Sequence, residues 1–304
     1  MTLEPDVLAD RRRLKRQITM WRLVGVFGVV AAVLLALAGS GAGLGPERRD
    51  HIALVSVDGL IFDNRDLIEA IAEAAHSRRA KAILVRINSP GGTTVGGESL
   101  YVALRAAAEE KPVVAVIGTV GASAGYMVAL AADHIIARET SVTGSIGVLL
   151  ETAEISGLLE MLGITAETIR SAPLKGTPSL FEPLTEETRA ATQSVVDDIY
   201  EWFVALFADR RGLELDSARG LADGRIFTGR QALALGMIDA TGGEEDAIVW
   251  LEQSRGIETD LPVIDIQPEI DHGITEFLTS LGQKTLLSER LRLDGLLSVW
   301  QPDR

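Results

Sequence analysis

Apolar runs of strand length, each closed by a small-residue turn and separated by segments of helical spacing, constrain this 304-residue chain more than any other feature. Residues 51–61 read as a strand, 67–75 as a helix, and 81–87 as a buried strand stopped by Asn88-Ser89-Pro90-Gly91-Gly92. Residues 99–110 are helical, Pro112 opens a third strand over 113–117, 125–132 form an apolar helix, and 135–137 return to strand. The alternation predicts an α/β fold with parallel strands and alternating helices. In such sheets ligand sites lie at the carboxyl ends of strands. A longer helix is expected from Thr185 to Arg211, its start marked by Thr185-Glu186-Glu187, and another over 276–300, interrupted at Asp294-Gly295. No internal repeat is present.

The amino-terminal end obeys different rules. Residues 23–45 carry no charge and would span about 34 Å as a helix, enough to cross a bilayer core. Basic residues Arg11, Arg12, Arg13, Lys15, Arg16 and Arg22 precede that run, and basic flanks stay cytoplasmic. The expected organisation is a cytoplasmic segment 1–22, a single transmembrane anchor 23–45, a folded domain 50–245 and a helical extension 246–304. The folded domain then lies on the outer face of a bacterial-type inner membrane. Cleavage after Ala36-Leu37-Ala38, as in a signal peptide, is the alternative to a retained anchor.

Net charge is −14, with +3 on residues 1–46 and −17 on the rest, which argues against a nucleic-acid partner. The absence of cysteine excludes disulfides, thiol catalysis and thiolate metal sites. His51, His76, His134 and His272 have no metal-site spacing, so neither a metal nor a cofactor is implied.

Two glycine-rich strand ends can carry chemistry. Gly91-Gly92 can present backbone N–H groups without interference from a Cβ, as an oxyanion hole requires; a plain turn is the alternative. Gly121-Ala122-Ser123-Ala124-Gly125 matches the G-x-S-x-G nucleophile elbow between a strand and a helix, with the Ala124 N–H at the helix start. Close packing of small residues would explain the same pattern. A serine nucleophile needs a base. His272 is late enough in the chain for an α/β-hydrolase arrangement, whereas His134 follows Ser123 too soon. The other option is a lysine, which burial can hold neutral. Lys175, in the mostly uncharged Ser171–Pro178 stretch, is the best placed of Lys81, Lys111, Lys175 and Lys284.

At these residues the chain resembles the signal peptide peptidase A family, Ser/Lys serine proteases with a ClpP/crotonase-like fold. The likeness covers about residues 50–245. It runs through Asn88–Gly92, Gly121–Tyr126, Thr143–Val148, Ser156–Leu159, the Lys175 loop, Asp223–Gly229 and Ala232–Asp239. The resemblance implies that Ser123 is the nucleophile and Lys175 the general base, that Ser145 hydrogen-bonds the lysine, and that Gly91 and Ala124 donate to the oxyanion. It further implies the short single-copy form, apolar peptide substrates such as remnant signal peptides, and a homo-oligomer, an octameric ring in which neighbouring protomers share each dyad. Family members often carry Asp after the lysine; here it is Gly176. Competing readings are an α/β-hydrolase esterase using Ser123 and His272, a crotonase-like acyl-CoA enzyme, a membrane Ser/Lys protease with another substrate, and an inactive membrane scaffold.

Overall fold

Strand β1 (His51–Ile61) is buried along its first seven residues. Ala53, Val55 and Val57 face one core while Ile52 and Leu54 face another, as a strand covered on both sides requires. The computed structural model describes residues 19–30, 49–266 and 297–299. Contacts divide the chain into Met1–Arg49 and Asp50–Arg304.

Strand β2 (Ala80–Thr93) pairs parallel with β1, and β3 (Val113–Ala122) pairs parallel with β2. The outer edge of β3 is divided. Strand β4 (His134–Ala137) takes Val114–Ile117, and β5 (Val142–Gly144) takes Val120–Ala122. Strand β6 (Ile226–Thr228) pairs antiparallel with β5, and β7 (Ala240–Thr241) parallel with β4. On the other side β8 (Val263–Asp265) extends the sheet beyond β1. Strand β9 (Leu297–Val299) pairs antiparallel with Gly91–Thr93.

Helix α1 covers residues 19–30 and belongs to the first unit. In the second unit α2 (Arg65–His76), α3 (Thr94–Glu110), α4 (Ala124–Ala129) and α6 (Glu186–Arg211) build the larger core through Ile71, Leu104, Met127, Phe203 and Phe207. Between α4 and α6 lies the short α5 (Ser156–Met161), and after α6 come α7 (Leu215–Leu221) and α8 (Gly229–Ala234). Helix α9 (Glu244–Arg255) covers the opposite face through Ala247 and Leu251. Helix starts follow their caps: Asn64 accepts from the Leu67 N–H, Thr93 from Gly96 and Thr185 from Thr188.

Two polar clusters tie the layers together. Lys111 donates from Nζ to the carbonyls of Ala74, Ser77 and Ala80 at 2.7, 2.8 and 2.8 Å. It thereby closes the end of α2 against the start of β2. Burial, then the nearby Lys81 charge, pulls its pKa down. Asp239 accepts from Arg211 at 2.7 Å and from the Ile135 N–H at 2.8 Å. Burial opposes its ionisation, but these donors outweigh burial and hold the carboxyl below its ordinary value. Beside it His134 stacks on Trp250 with centroids 4.5 Å apart, and burial lowers its pKa despite the Asp239 charge.

The α/β expectation holds, with corrections. Asn88–Gly92 does not stop the second strand. Partners on β1 and β9 carry the extended backbone through to Thr93, with a register shift between Asp58 and Leu60. The third strand runs five residues beyond 117, because β5 pairs with its end. Helix α3 starts at Thr94, where Thr93 caps it, and α4 is shorter than 125–132. Of the expected helix over 276–300, residues 276–296 and 300 lie outside the described residues, and Leu297–Val299 are strand, because they meet an unpaired edge of β2. The extension 246–304 contributes all but the first two residues of α9 and then β8 and β9. Of the expected anchor, residues 31–45 lie outside the described residues. Among the described residues no helix is long and apolar enough to cross a membrane.

Candidate active site

Ser123 stands between the last residue of β3 and the first of α4, with φ 56° and ψ −121°. A β-carbon disfavours this conformation, and such turns hold a side chain out at a strand–helix junction. The backbone is fixed at both ends: the Ser123 N–H donates to the Gly144 carbonyl at 2.8 Å, and its carbonyl accepts from Met127 at 2.9 Å. The flanking glycines are steric necessities. A Cβ on Gly125 would lie 2.8 Å from the Ser89 carbonyl oxygen, and one on Gly121 would lie 2.8 Å from Ile117 Cγ2. The start of α4 is therefore pressed onto the Asn88–Gly92 segment, and the two glycine-rich strand ends meet. No side chain caps α4, which leaves its first N–H groups, Ala124 among them, for another acceptor.

Ser145 occupies the equivalent position on the adjacent strand. Gly121 pairs with Thr143 and Ala122 with Gly144, so Ser123 and Ser145 each follow directly on the last pair of two neighbouring strands. Both have positive φ and both are buried. The Ser145 N–H donates to the Arg225 carbonyl at 2.8 Å.

Gly91 adopts φ 122°, open only to glycine, and a Cβ on Gly92 would sit 1.9 Å from the Ile61 carbonyl oxygen. The Gly91 N–H donates to Ser89 Oγ at 3.1 Å, and that hydroxyl donates to the Gly91 carbonyl at 3.2 Å. Ser89 thus holds the peptide that the sequence pattern singles out as an oxyanion donor.

Lys175 is set apart from this group. It is exposed, its N–H closes a turn to the Ala172 carbonyl at 3.0 Å, and its Nζ makes no hydrogen bond or ion pair with a described residue. The arm that carries it exposes large apolar side chains, including Met161 (79%), Leu162 (64%) and Ile169 (94%). Within one chain, then, Ser123, Ser145, Ala124 and Gly91 share the carboxyl ends of β2, β3 and β5, and Lys175 lies on the exposed arm. His134 pairs with Val114 near the opposite end of β3 from Ser123. His272 lies outside the described residues. Among the described residues no cluster of His, Asp and Glu is arranged to hold a metal.

Two supporting residues carried no assigned role in the sequence. Ser89 lies inside a segment read as a stop, and only the continued strand gives its hydroxyl a task. Tyr126, fully buried, donates from its hydroxyl to the Met237 carbonyl at 2.7 Å and meets Phe207 edge to face, anchoring α4 to the main core. Burial pushes its phenol pKa up. A tyrosine within an otherwise apolar helix was the signal for it.

The family model for peptidase family S49 matches residues 105–258, which include the elbow, Ser145 and Lys175. The chain belongs to peptidase family S49. It is a serine peptidase. A candidate protease of Synechocystis sp. is 38% identical over 71% of this chain and 79% of its own length. A candidate signal peptide peptidase of Enterococcus faecium is 32% identical over 79% of this chain and 70% of that protein. The chloroplastic serine protease SPPA of Arabidopsis thaliana is 32% identical over 82% of this chain, which spans 39% of that longer protein. In this S49 peptidase the matched residues include the ends of β3 and β5, where Ser123 and Ser145 stand.

Proposed function

We propose that this S49 peptidase is a membrane-anchored endopeptidase of ClpP/crotonase-like fold that uses a Ser123/Lys175 dyad to degrade remnant signal peptides or similar apolar peptides. Lys175 takes the Ser123 hydroxyl proton as Oγ attacks a peptide carbonyl. The Ala124 and Gly91 N–H groups receive the oxyanion, each lowering the barrier by roughly 3 kcal/mol; Gly91 turns its donor from Ser89 as the charge develops. The Oγ–C bond forms, the C–N bond breaks, and the proton passes from Lys175 to the departing amine. Water then hydrolyses the ester, and Lys175 returns the proton to Ser123. Ser145, one strand away, orients the amine.

The observation that carries this reading is the exposed apolar arm bearing Lys175. Contiguous apolar exposure of this kind marks a surface made to be covered. A neighbouring protomer of a closed ring, an octamer, covers it and brings Lys175 to the neighbour's Ser123. An amine acts as a base only when neutral, and burial favours that form. The anchor over 23–45 holds the ring at the outer face of the inner membrane, with the amino terminus in the cytoplasm, where apolar peptides left by secretion accumulate.

The test is complementation. Ser123→Ala and Lys175→Ala chains are each expected to be inactive. Random assembly of equal amounts restores an intact serine and lysine at about a quarter of the sites, if neighbours share each dyad. Recovery of peptide hydrolysis near that level supports the shared dyad; a mixture as inactive as its parts sinks it. Full activity of Lys175→Ala alone removes the lysine from the mechanism.

A further inference from the structure

Ser89 is fully buried, and its hydroxyl serves one residue twice. It accepts from the Gly91 N–H at 3.1 Å and donates to the Gly91 carbonyl at 3.2 Å. Both contacts are longer than the usual spacings of about 2.9 Å for N–H···O and about 2.7–2.8 Å for O–H···O. Two weak, neutral bonds therefore clasp the residue whose N–H an oxyanion would need. An ionised oxygen binds such a donor about twice as strongly as a neutral one. Developing charge on a substrate oxygen can thus take the N–H from Ser89, while the bond to the carbonyl stays and keeps Gly91 tethered.

The backbone permits that exchange. The Gly91 N–H lies in the peptide plane that joins Gly91 to Pro90. Turning this plane rotates ψ at Pro90 against φ at Gly91, since the proline ring locks its own φ. Gly91 already stands at φ 122°, and without a Cβ it can change that angle at little cost. Ser89 also bears on the nucleophile. It pairs with Gly121, two residues before Ser123, and its carbonyl oxygen is the atom that a Cβ on Gly125 would meet at 2.8 Å. One buried residue is therefore packed against the elbow through its backbone and holds Gly91 through its hydroxyl.

We propose that Ser89 is a positioning residue of the oxyanion hole: its hydroxyl holds the Gly91 N–H in reserve while the site is empty, yields it to the oxyanion, and keeps Gly91 in place through the carbonyl bond. The inference rests on the reading of Ser123 as nucleophile and Gly91 as oxyanion donor. It adds that the hole has two states, and that a side chain with no access to substrate sets the balance between them.

The full chain, Ser89→Ala and Ser89→Cys are compared on one cleaved peptide. Ser89→Ala should lower kcat roughly tenfold, less than the ~100-fold cost of losing a donor outright, with KM changed by less than about twofold. Ser89→Cys, whose thiol is a weak donor and acceptor, should fall between. A peptide boronic acid forms a tetrahedral adduct on a serine, with an oxygen in the hole, and its affinity should fall by the same factor as kcat/KM. The uncut peptide should bind Ser123→Ala and Ser123→Ala/Ser89→Ala equally, as read by fluorescence anisotropy. A purely structural serine would lower the melting temperature and leave kcat and boronate affinity of the folded protein unmoved. Unchanged kcat in folded Ser89→Ala, or a boronate loss matched by an equal loss for the uncut peptide, overturns the inference and spares the peptidase reading. Should Ser89→Ala fail to fold, Ser89→Cys decides by the same measurements. A wild-type chain that cuts no apolar peptide overturns the peptidase reading, and the inference with it.

Discussion

Gly125→Ala places a methyl group 2.8 Å from the Ser89 carbonyl oxygen, where contacts become ordinary only from 3.4 Å. About 0.6 Å must be found between α4 and β2, where Ser89, Ala124 and Gly125 are all buried. Overpacking of this size costs about 1–3 kcal/mol. Alanine's better helix propensity returns up to ~1 kcal/mol. The expected net loss of about 1–2 kcal/mol lowers the melting temperature by ~2–8 °C for a unit of this size. The functional loss should be larger. The same 0.6 Å separates Ser123 from the Gly91 donor, and a misplacement near 1 Å costs about a hundredfold in rate. Peptide hydrolysis should therefore fall at least ~10-fold in kcat, in protein shown folded by circular dichroism. Gly220→Ala is the control: it sits in α7 with nothing within 4 Å of its added Cβ, and should be stabilising by roughly 0.5–1 kcal/mol with activity unchanged. A Gly125→Ala enzyme with wild-type kcat and melting temperature would refute the argument that close contact sets the elbow's geometry.

Tyr126→Phe leaves the buried Met237 carbonyl without its donor and should cost about 1–3 kcal/mol in urea unfolding. An unchanged midpoint would mean that α4 is held by packing alone. Burial disfavours the charged form of His134, so the unfolded chain takes up a proton near pH 6.5 that the folded chain resists. Stability from this group is complete above that value and declines as pH falls through it; His134→Phe, which keeps the stack on Trp250, should flatten that decline. Strand β9 fills the edge at Gly91–Thr93, where an extended substrate would pair. Removing residues 297–304 should therefore lower KM with kcat little changed, and a raised KM would show that β9 builds the site rather than occupying it.

How much could be read in advance depended on the range of the interaction. Strand 51–61 was legible because burial on both faces leaves a continuous apolar run. The serine elbow was legible because its glycines and helix start lie within five residues. Ser145 beside Ser123 was not derivable locally, since the β3–β5 register joins residues 22 apart; only family likeness pointed to it. The overrun of β2 past Pro90 depends on partners at Leu60, Ile61 and 297–299, which no local pattern contains. Lys175 stood out by elimination among few lysines, but the exposed arm around it emerges only from the folded chain.

The three carbonyls gathered by Lys111 have a consequence for amine-reactive probes. An acylating reagent should react slowly with that nitrogen while the junction of α2 and β2 is closed, because all three of its protons are engaged. Labelling at Lys111 thus clocks the opening of one corner of the domain against the rest. Lys175, exposed and unengaged in the single chain, should react at once in dissociated protomers and slowly in a closed ring. The ratio of the two labelling rates reports assembly and local opening from a single mass spectrum.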